Sequence, residues 1–393
     1  EASIVKFVNQ ILSDAIKDRA TDIHLEPFSD ELRVRYRIDG ILYDINVPET
    51  IKYLHSALVS RIKIMSRLNI VEHRLPQDGR IKIKINEREI DLRVSVLPTI
   101  FGESVQIRIL GTSLFLELEK LGFSSYDLDT IKKIISRPHG IIFVTGPTGS
   151  GKTTTLYAVL SQINSNQVKI ITIEDPVEYQ LRGVNQVQIN PQINFTFASA
   201  LRHMLRHDPD VIMVGEVRDY ETAEIAIRSA LTGHLVFSTL HTNDASGAIT
   251  RLIDMGVEPF LISSSLECAI AQRLVRLLCP KCKEPMEPSK EIITQFKGSK
   301  IDLKEIKFYQ GKGCQECRFT GYRGRTAIYE ILLINESIRK LILNHASSQQ
   351  IKQLALTHGL RTLRDDGLRK AALGITSLSE VFRVTQQEEI INE

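Results

Sequence analysis

The stretch Gly140-Ile141-Ile142-Phe143-Val144-Thr145-Gly146-Pro147-Thr148-Gly149-Ser150-Gly151-Lys152-Thr153-Thr154 decides how this chain folds. Ile141 to Val144 is a continuous apolar run of strand length. Gly146 to Thr153 then satisfies G-x-x-x-x-G-K-[ST], and the pattern predicts a helix from Thr154 to Gln162. Strand, loop and helix in that order make a phosphate cradle. Glycines let backbone N–H groups converge on a β-phosphate, and the helix N-terminus adds its dipole. Lys152 is placed to neutralise the β and γ oxygens, and the Thr153 hydroxyl to ligate Mg²⁺. Gly146, Pro147, Thr148, Gly149, Ser150, Gly151, Lys152, Thr153 and Thr154 are the expected ATP contacts.

Working outward, further short apolar runs at 170–173, 211–214 and 235–240 alternate with helical stretches, which predicts a mostly parallel sheet covered on both faces. Ligands of such sheets sit at the carboxyl ends of the strands. There the run Val211 to Val214 leads to Glu216, the first choice to order Mg²⁺ and water. Ile171-Thr172-Ile173 leads to Glu174 and Glu178, for which surface charge is the plain alternative. His234 and His241 flank the run Leu235 to Leu240, and His241, at its carboxyl end, is the better sensor of a γ-phosphate. Arg202 and Arg206 lie four apart on an expected helical face, where an ordinary solvated stripe would look the same.

Residues 1–110 read as a separate α+β domain. Ile4, Phe7, Val8, Ile11, Leu12, Ala15 and Ile16 recur at helical spacing, and Leu32, Val34 and Tyr36 alternate before a hairpin turn at Asp39-Gly40. A helix follows around residues 50–68, then alternating runs at 80–85, 90–96 and 105–110. With 17 Lys and Arg against 16 Asp and Glu, this domain is no basic arm. Residues 111–136, with Gly111, Gly122 and Ser124-Ser125, read as an interdomain linker, and 137–393 as the nucleotide-binding domain.

Cys279-Pro280-Lys281-Cys282 and Cys314-Gln315-Glu316-Cys317 each present two thiolates, and together they make an S₄ set suited to structural Zn²⁺ within an insert spanning 278–325. A redox pair or free structural cysteines are the alternatives. Cys268, in an apolar stretch from Leu266 to Leu274 that reads as helical, is expected to be core. Residues 326–393 read as a helical C-terminal region.

The whole chain has 393 residues, 42% hydrophobic and 25% charged, and a net charge of +3, which excludes collagen-like and disordered classes and lacks the basic excess of a nucleic-acid coat. No apolar run reaches membrane-spanning length. The opening Glu1-Ala2-Ser3, without Met or a signal-like region, suggests a piece of a longer intracellular protein.

Together these motifs resemble the secretion-ATPase superfamily, specifically the assembly motors of type II secretion systems and type IV pili. The residues that carry the likeness run from Thr21-Asp22-Ile23-His24-Leu25-Glu26-Pro27 and Leu75-Pro76-Gln77-Asp78-Gly79-Arg80, through the phosphate loop, to Gly321-Tyr322-Arg323-Gly324-Arg325. The tail Leu360 to Lys370 is similar to the type II secretion branch. The resemblance implies a RecA-like P-loop core, a PAS-like first domain, and a homo-hexamer that hydrolyses ATP with Mg²⁺ to build a pseudopilus. It implies docking on the cytoplasmic domain of an inner-membrane platform protein (L-type) and on a polytopic platform protein, and a peripheral place on the cytoplasmic face. It assigns the 174–178 acids, the strand ending at Glu216 and the histidine-bearing 233–242 segment to the γ-phosphate, and Arg93, Arg108, Arg202, Arg206 and Arg218 to phosphate charge. A type IV pilus assembly motor is the near alternative. A nucleic-acid translocase is the distant one, disfavoured by near-neutral charge, zero Trp and 6% aromatics.

Overall fold

The computed structural model describes residues 2–85, 88–110, 117–287 and 307–385. The chain divides into two compact units, Glu1–Leu114 and Phe115–Glu393.

In the first unit, α1 (Ala2–Lys17) leads to β1 (Ala20–Pro27), β2 (Leu32–Ile38) and β3 (Ile41–Asp44), then α2 (His55–Ser66), β4 (Gln77–Ile85), β5 (Arg88–Thr99) and β6 (Gly102–Leu110). All six strands join one antiparallel sheet in the order β3-β2-β1-β6-β5-β4. The β2–β3 turn holds Asp39 and Gly40 at φ 49° and 89°, the left-handed geometry expected of that dipeptide. Alternation puts Ile23, Leu25, Val34, Tyr36, Leu92, Val94, Val105 and Ile107 into one core with Val8, Ile11, Leu58 and Ile62 of the helices. On the other face, cross-strand pairing aligns Arg80, Arg93, Arg108, Asp22 and Arg37 in a single row. Strand β1 is an element the alternation did not reveal, because Asp22 is buried beside Ile23 where the ladder is irregular.

The second unit opens with α3 (Ser125–Ile135). The linker expected over 111–136 is thus corrected in its latter part. Ser124 caps that helix by accepting from Asp127 N, and Ile131, Ile134 and Ile135 are buried. Residues 111–116 of that linker, 288–306 of the insert and 386–393 of the tail lie outside the described residues.

Next come β7 (Gly140–Thr145), α4 (Lys152–Ile163), β8 (Ile170–Glu174), β9 (Asn185–Gln188), α5 (Phe197–Met204), β10 (Val211–Val214), α6 (Tyr220–Leu231), β11 (Leu235–Leu240), α7 (Ser246–Asp254), α8 (Pro259–Ser265) and β12 (Leu266–Leu278). The small strands β13 (Lys283–Met286) and β14 (Phe308–Gly311) pair with each other, and β15 (Tyr322–Leu333) returns to β12. Seven strands form the main sheet in the order β15-β12-β7-β11-β10-β8-β9. All its pairings are parallel except β12 with β15. Every residue of β7, β8, β10 and β11 is buried, which is why those runs carry no alternation.

Two further expectations change. The Leu266 to Leu274 stretch is strand, with Cys268 fully buried in it as core. The C-terminal region begins with β15 before its helices Glu336–Leu343, Ser348–Thr357, Leu363–Ala372 and Leu378–Val384.

Candidate active site and metal centre

At the carboxyl end of β7 the chain turns sharply because β12 lies against it. A Cβ on Gly146 would fall 2.6 Å from both Gln272 O and Ser150 Oγ, and one on Gly151 would fall 2.8 Å from Gln272 Nε2. Gly151 also has φ 87°, so both positions need glycine. Lys152 folds back into the loop and donates to Gly146 O at 2.7 Å and Pro147 O at 3.1 Å. Burial brings its amine down to about 8, against the pull of Glu216. Ser150 Oγ is buried without a hydrogen-bond partner. An unsatisfied buried hydroxyl costs about 1–3 kcal/mol, so the loop is shaped around a group it does not itself supply. Thr153 and Thr154 stand on the first turn of α4, as placed by the motif.

Across the sheet, Glu216 follows β10 with its side chain mostly buried. It is 2.7 Å from Arg218 Nη2 and 3.5 Å from His241 Nε2. The structure therefore gathers Lys152, Glu216, Arg218 and His241 at one end of the sheet. Thr242 N donates to Thr145 Oγ1 at 3.0 Å, which ties the end of β11 to the start of the loop.

Other expected residues lie elsewhere or are committed. His234 is corrected. It directly precedes β11, its carbonyl accepts from Gly140 N, and its Nδ1 sits 2.9 Å from Ser229 O. Gly140 is the first residue of β7, so His234 stands at the end of the sheet opposite the phosphate loop. Glu174 is buried and accepts from Tyr157 OH, Thr172 Oγ1 (2.5 Å) and Gln186 Nε2 (3.1 Å). That is the environment of a structural carboxylate. Burial and this neighbour push the Tyr157 phenol up, so it stays a donor. Glu178 lies in the loop beyond, its backbone against the Tyr157 hydroxyl. Arg202 pairs with Glu221 of α6, and Arg206 lies past the end of α5 in a 3₁₀ turn against His203. In the first unit, Arg108 Nε is 3.0 Å from Asp22 Oδ1, and Arg93 lies directly across the ladder from Arg108. Desolvation opposes ionisation of Asp22, but the bonds from Arg108, Thr21 and Gln106 outweigh it and hold its carboxyl below the usual range.

Sequence reading missed Gln272 and Arg273. Gln272 is buried, accepts from Thr155 Oγ1 at 2.7 Å and donates to Ser150 O at 2.8 Å, bracing the loop against α4. The signal was a polar pair interrupting the apolar run from Leu266 to Leu278.

The four thiols of the C-x-x-C pairs converge, with every Sγ within 4.8 Å of the others. Cys279–Cys314, Cys282–Cys317 and Cys314–Cys317 lie 3.8, 3.7 and 3.7 Å apart. A tetrahedron with Zn–S arms of ~2.3 Å has edges of roughly 3.8 Å. Backbone N–H groups of Gly313, Cys314 and Gly321 point at sulfur from 3.2–3.3 Å. Burial disfavours the Cys317 thiolate, yet the Cys314 and Gly321 N–H groups win and lower its thiol. The donor set, spacing and second shell fit a structural zinc. No helix among the described residues is long and apolar enough to cross a membrane.

A family model described as "Type II/IV secretion system protein" matches residues 1–383. The chain is 51% identical over 389 residues to the type II secretion system ATPase E of Vibrio cholerae, covering 98% of this chain and 76% of that one. It is 52% identical over 384 residues to the type IV pilus assembly ATPase PilB of Myxococcus xanthus, covering 97% and 68%. Among solved structures, the pilus retraction motor PilT with bound ADP superposes at TM-score 0.61 and 28% identity, over 96% of both chains.

Proposed function

The chain belongs to the type II/IV secretion system protein family and is an ATPase of it, and on that premise we propose that it drives pseudopilus assembly in a type II secretion system. The observation that carries the chemistry is the cradle, lined by the unpartnered Ser150 hydroxyl, in which Lys152 lies within the field of Glu216 of the Glu216–Arg218–His241 cluster. With ATP bound, Lys152 and the loop N–H groups would hold the β and γ oxygens, and Thr153 and Glu216 would hold Mg²⁺, which would supply charge neutralisation. Glu216 orients the attacking water, and His241 reports on the γ-phosphate through Glu216. Cys279, Cys282, Cys314 and Cys317 would hold a zinc ion that orders the insert.

The motor acts as a homo-hexamer. The first unit, whose 3-2-1-6-5-4 strand order supports a PAS-like assignment, closes on the nucleotide held by the second. The ladder brings Arg80, Arg93 and the Asp22-paired Arg108 side by side, a row of guanidinium groups suited to an incoming polyanion. Arg202 and Arg206 complete the phosphate charge from a neighbouring subunit. Replacing Arg93 or Arg108 by Ala should lower turnover about tenfold or more with ADP affinity of the second unit retained. Unchanged kinetics in both variants would remove the closing step.

The assembly works on the cytoplasmic face of the inner membrane through a platform protein with a cytoplasmic domain and a polytopic platform protein. Deleting the gene should abolish secretion of exoproteins while surface pili persist. Loss of pili with secretion intact would assign the chain to pilus assembly, a reading kept by the 52% identity to the Myxococcus xanthus pilus assembly ATPase.

A further inference from the structure

Strand β12 runs parallel to β7, with Ala271 opposite Thr145, so the next two residues reach the phosphate loop as it leaves the sheet. Gln272 turns inward as the brace described above. Arg273 turns the other way, toward the mouth of the site. Its Nη1 lies 3.2 Å from the position a Gly146 Cβ would take and donates to Gln272 O at 3.2 Å. Its Nη2 donates to Asn243 O at 3.0 Å and Asn243 Oδ1 at 3.2 Å, in the loop that follows His241 and Thr242.

All of these acceptors are neutral. Among the described residues no carboxylate lies within ion-pair distance of Arg273, whereas the partly buried Arg276 pairs with Glu380 and Arg339 with Glu267. The two acids whose field reaches it are committed elsewhere. Glu330 accepts from Ala245 N at 2.9 Å, and Asp244 accepts from Gly247 N and faces Lys352. A half-buried guanidinium without an anion is poorly compensated. Its charge also bears on Lys152, so two cations share the cradle. Burial draws the Arg273 guanidinium below its ordinary range, the direction expected of a cation held short of a counter-charge.

We propose that Arg273 is a phosphate ligand of the nucleotide site, held by Asn243 beside Gly146 so that bound phosphate completes its charge and is linked to the loop after His241. This rests on the reading of the cradle as an ATP site. A guanidinium bridging phosphate and Asn243 would let occupancy of the loop 146–151 reach residues 241–245 without passing through Glu216. The Asn243 side chain acts as a positioning group.

The test uses the full chain, AMP-PNP with Mg²⁺ and inorganic phosphate as probes, calorimetry for affinity and thermal melting for stability. Arg273→Met should weaken AMP-PNP binding by about tenfold or more, while the ligand-free melting temperature stays the same or rises because an uncompensated cation has gone. Arg273→Lys should recover part of the affinity, and Asn243→Ala should fall between wild type and Arg273→Met. Binding by Arg273→Met within twofold of wild type would overturn the proposal. So would a lower ligand-free melting temperature in both Arg273 variants, which would make the residue a brace of the strand end. Lys152→Ala separates the two levels. If it binds AMP-PNP as wild type does, the cradle itself is misread and the proposal falls with it. If it loses binding while Arg273→Met keeps it, only the role of Arg273 is lost.

Discussion

Lys152→Ala will lower ATP turnover by on the order of 10³-fold while leaving the fold intact, measured as phosphate release beside the far-ultraviolet dichroism of the same sample. Removing a single preorganised donor from a developing anion costs about 10²–10³ in rate, and a full charge at the β and γ oxygens is worth at least that. A loss of 10³ corresponds to roughly 4 kcal/mol of transition-state stabilisation. The fold should survive because the partners of Lys152 Nζ are the loop carbonyls of Gly146 and Pro147, which water can satisfy once the amine is gone. Glu216→Gln should behave differently. It keeps the shape beside Arg218 and His241 and so keeps ATP binding, but it loses the anion that orients water, and turnover should fall about 10²-fold.

The pH dependence has a definite sign. Burial brings Lys152 down from the ordinary 10.5 to about 8. Between those values the unfolded chain binds the extra proton, so this residue makes the ligand-free fold relatively more stable as pH rises through that window. Bound phosphate restores the charged amine, so ATP binding at about pH 9 should take up a proton, read as a calorimetric heat that varies with the buffer. Lys152→Ala should abolish that uptake. Undiminished turnover in Lys152→Ala would refute the site.

How much of this was legible in the residues depends on what each one's role requires. The phosphate loop was readable because steric demand at Gly146 and Gly151 is local and leaves a fixed spacing. The four buried strands were readable as apolar runs for the same reason. Residues 266–278 were not, because Glu267, Gln272, Arg273 and Arg276 interrupt the apolar run at spacings that a helix and a strand accommodate alike. Helix α3 did leave a signal, Ser124 three before Asp127 and apolar residues at 128, 131, 134 and 135, but the neighbouring glycine and serines masked it. His241 is preferred to His234 from its place at the carboxyl end of the run, and the parallel pairing of β11 with β7 puts His234 at the opposite end. Glu174 shows a limit. Its spacing from the strand suited a nucleotide acid, whereas Tyr157, Thr172 and Gln186, brought together by three elements, make it part of the core.

Cys317→Ser should remove close to one zinc per chain and lower the melting temperature by more than about 8 °C, since the lost stability is on the order of 4 kcal/mol or more at 2–4 °C per kcal/mol for a unit of this size. The large effect follows from what the thiols hold in place. Cys279 N bonds Gly321 O, and Leu278 N bonds Ile375 O, so the knuckle anchors the end of β12 to the C-terminal helices. Strands β13 and β14 lie on those helices through Phe308 and Met286, which pack with Leu368, Ala371, Leu378 and Val381. Gly374 approaches Lys283 and Tyr309 so closely that a Cβ would fall 2.3 Å from the lysine nitrogen. Without metal, four sulfurs this close have no common partner to hold the two knuckles together. Residues 363–384 would then lose one wall of their core, and limited proteolysis should cut first between 279 and 325. Cys268→Ser is the control. That thiol is buried in β12 and is not one of the four clustered sulfurs, and burial pushes it up to about 12. Zinc content should therefore be unchanged in Cys268→Ser, with only a modest loss of stability. A Cys317→Ser protein that melts with wild type, or wild-type protein that carries no zinc, would end the structural-metal reading. A chelator should reproduce the Cys317→Ser effect in wild type and add nothing to the variant, which separates loss of metal from loss of a sulfur atom.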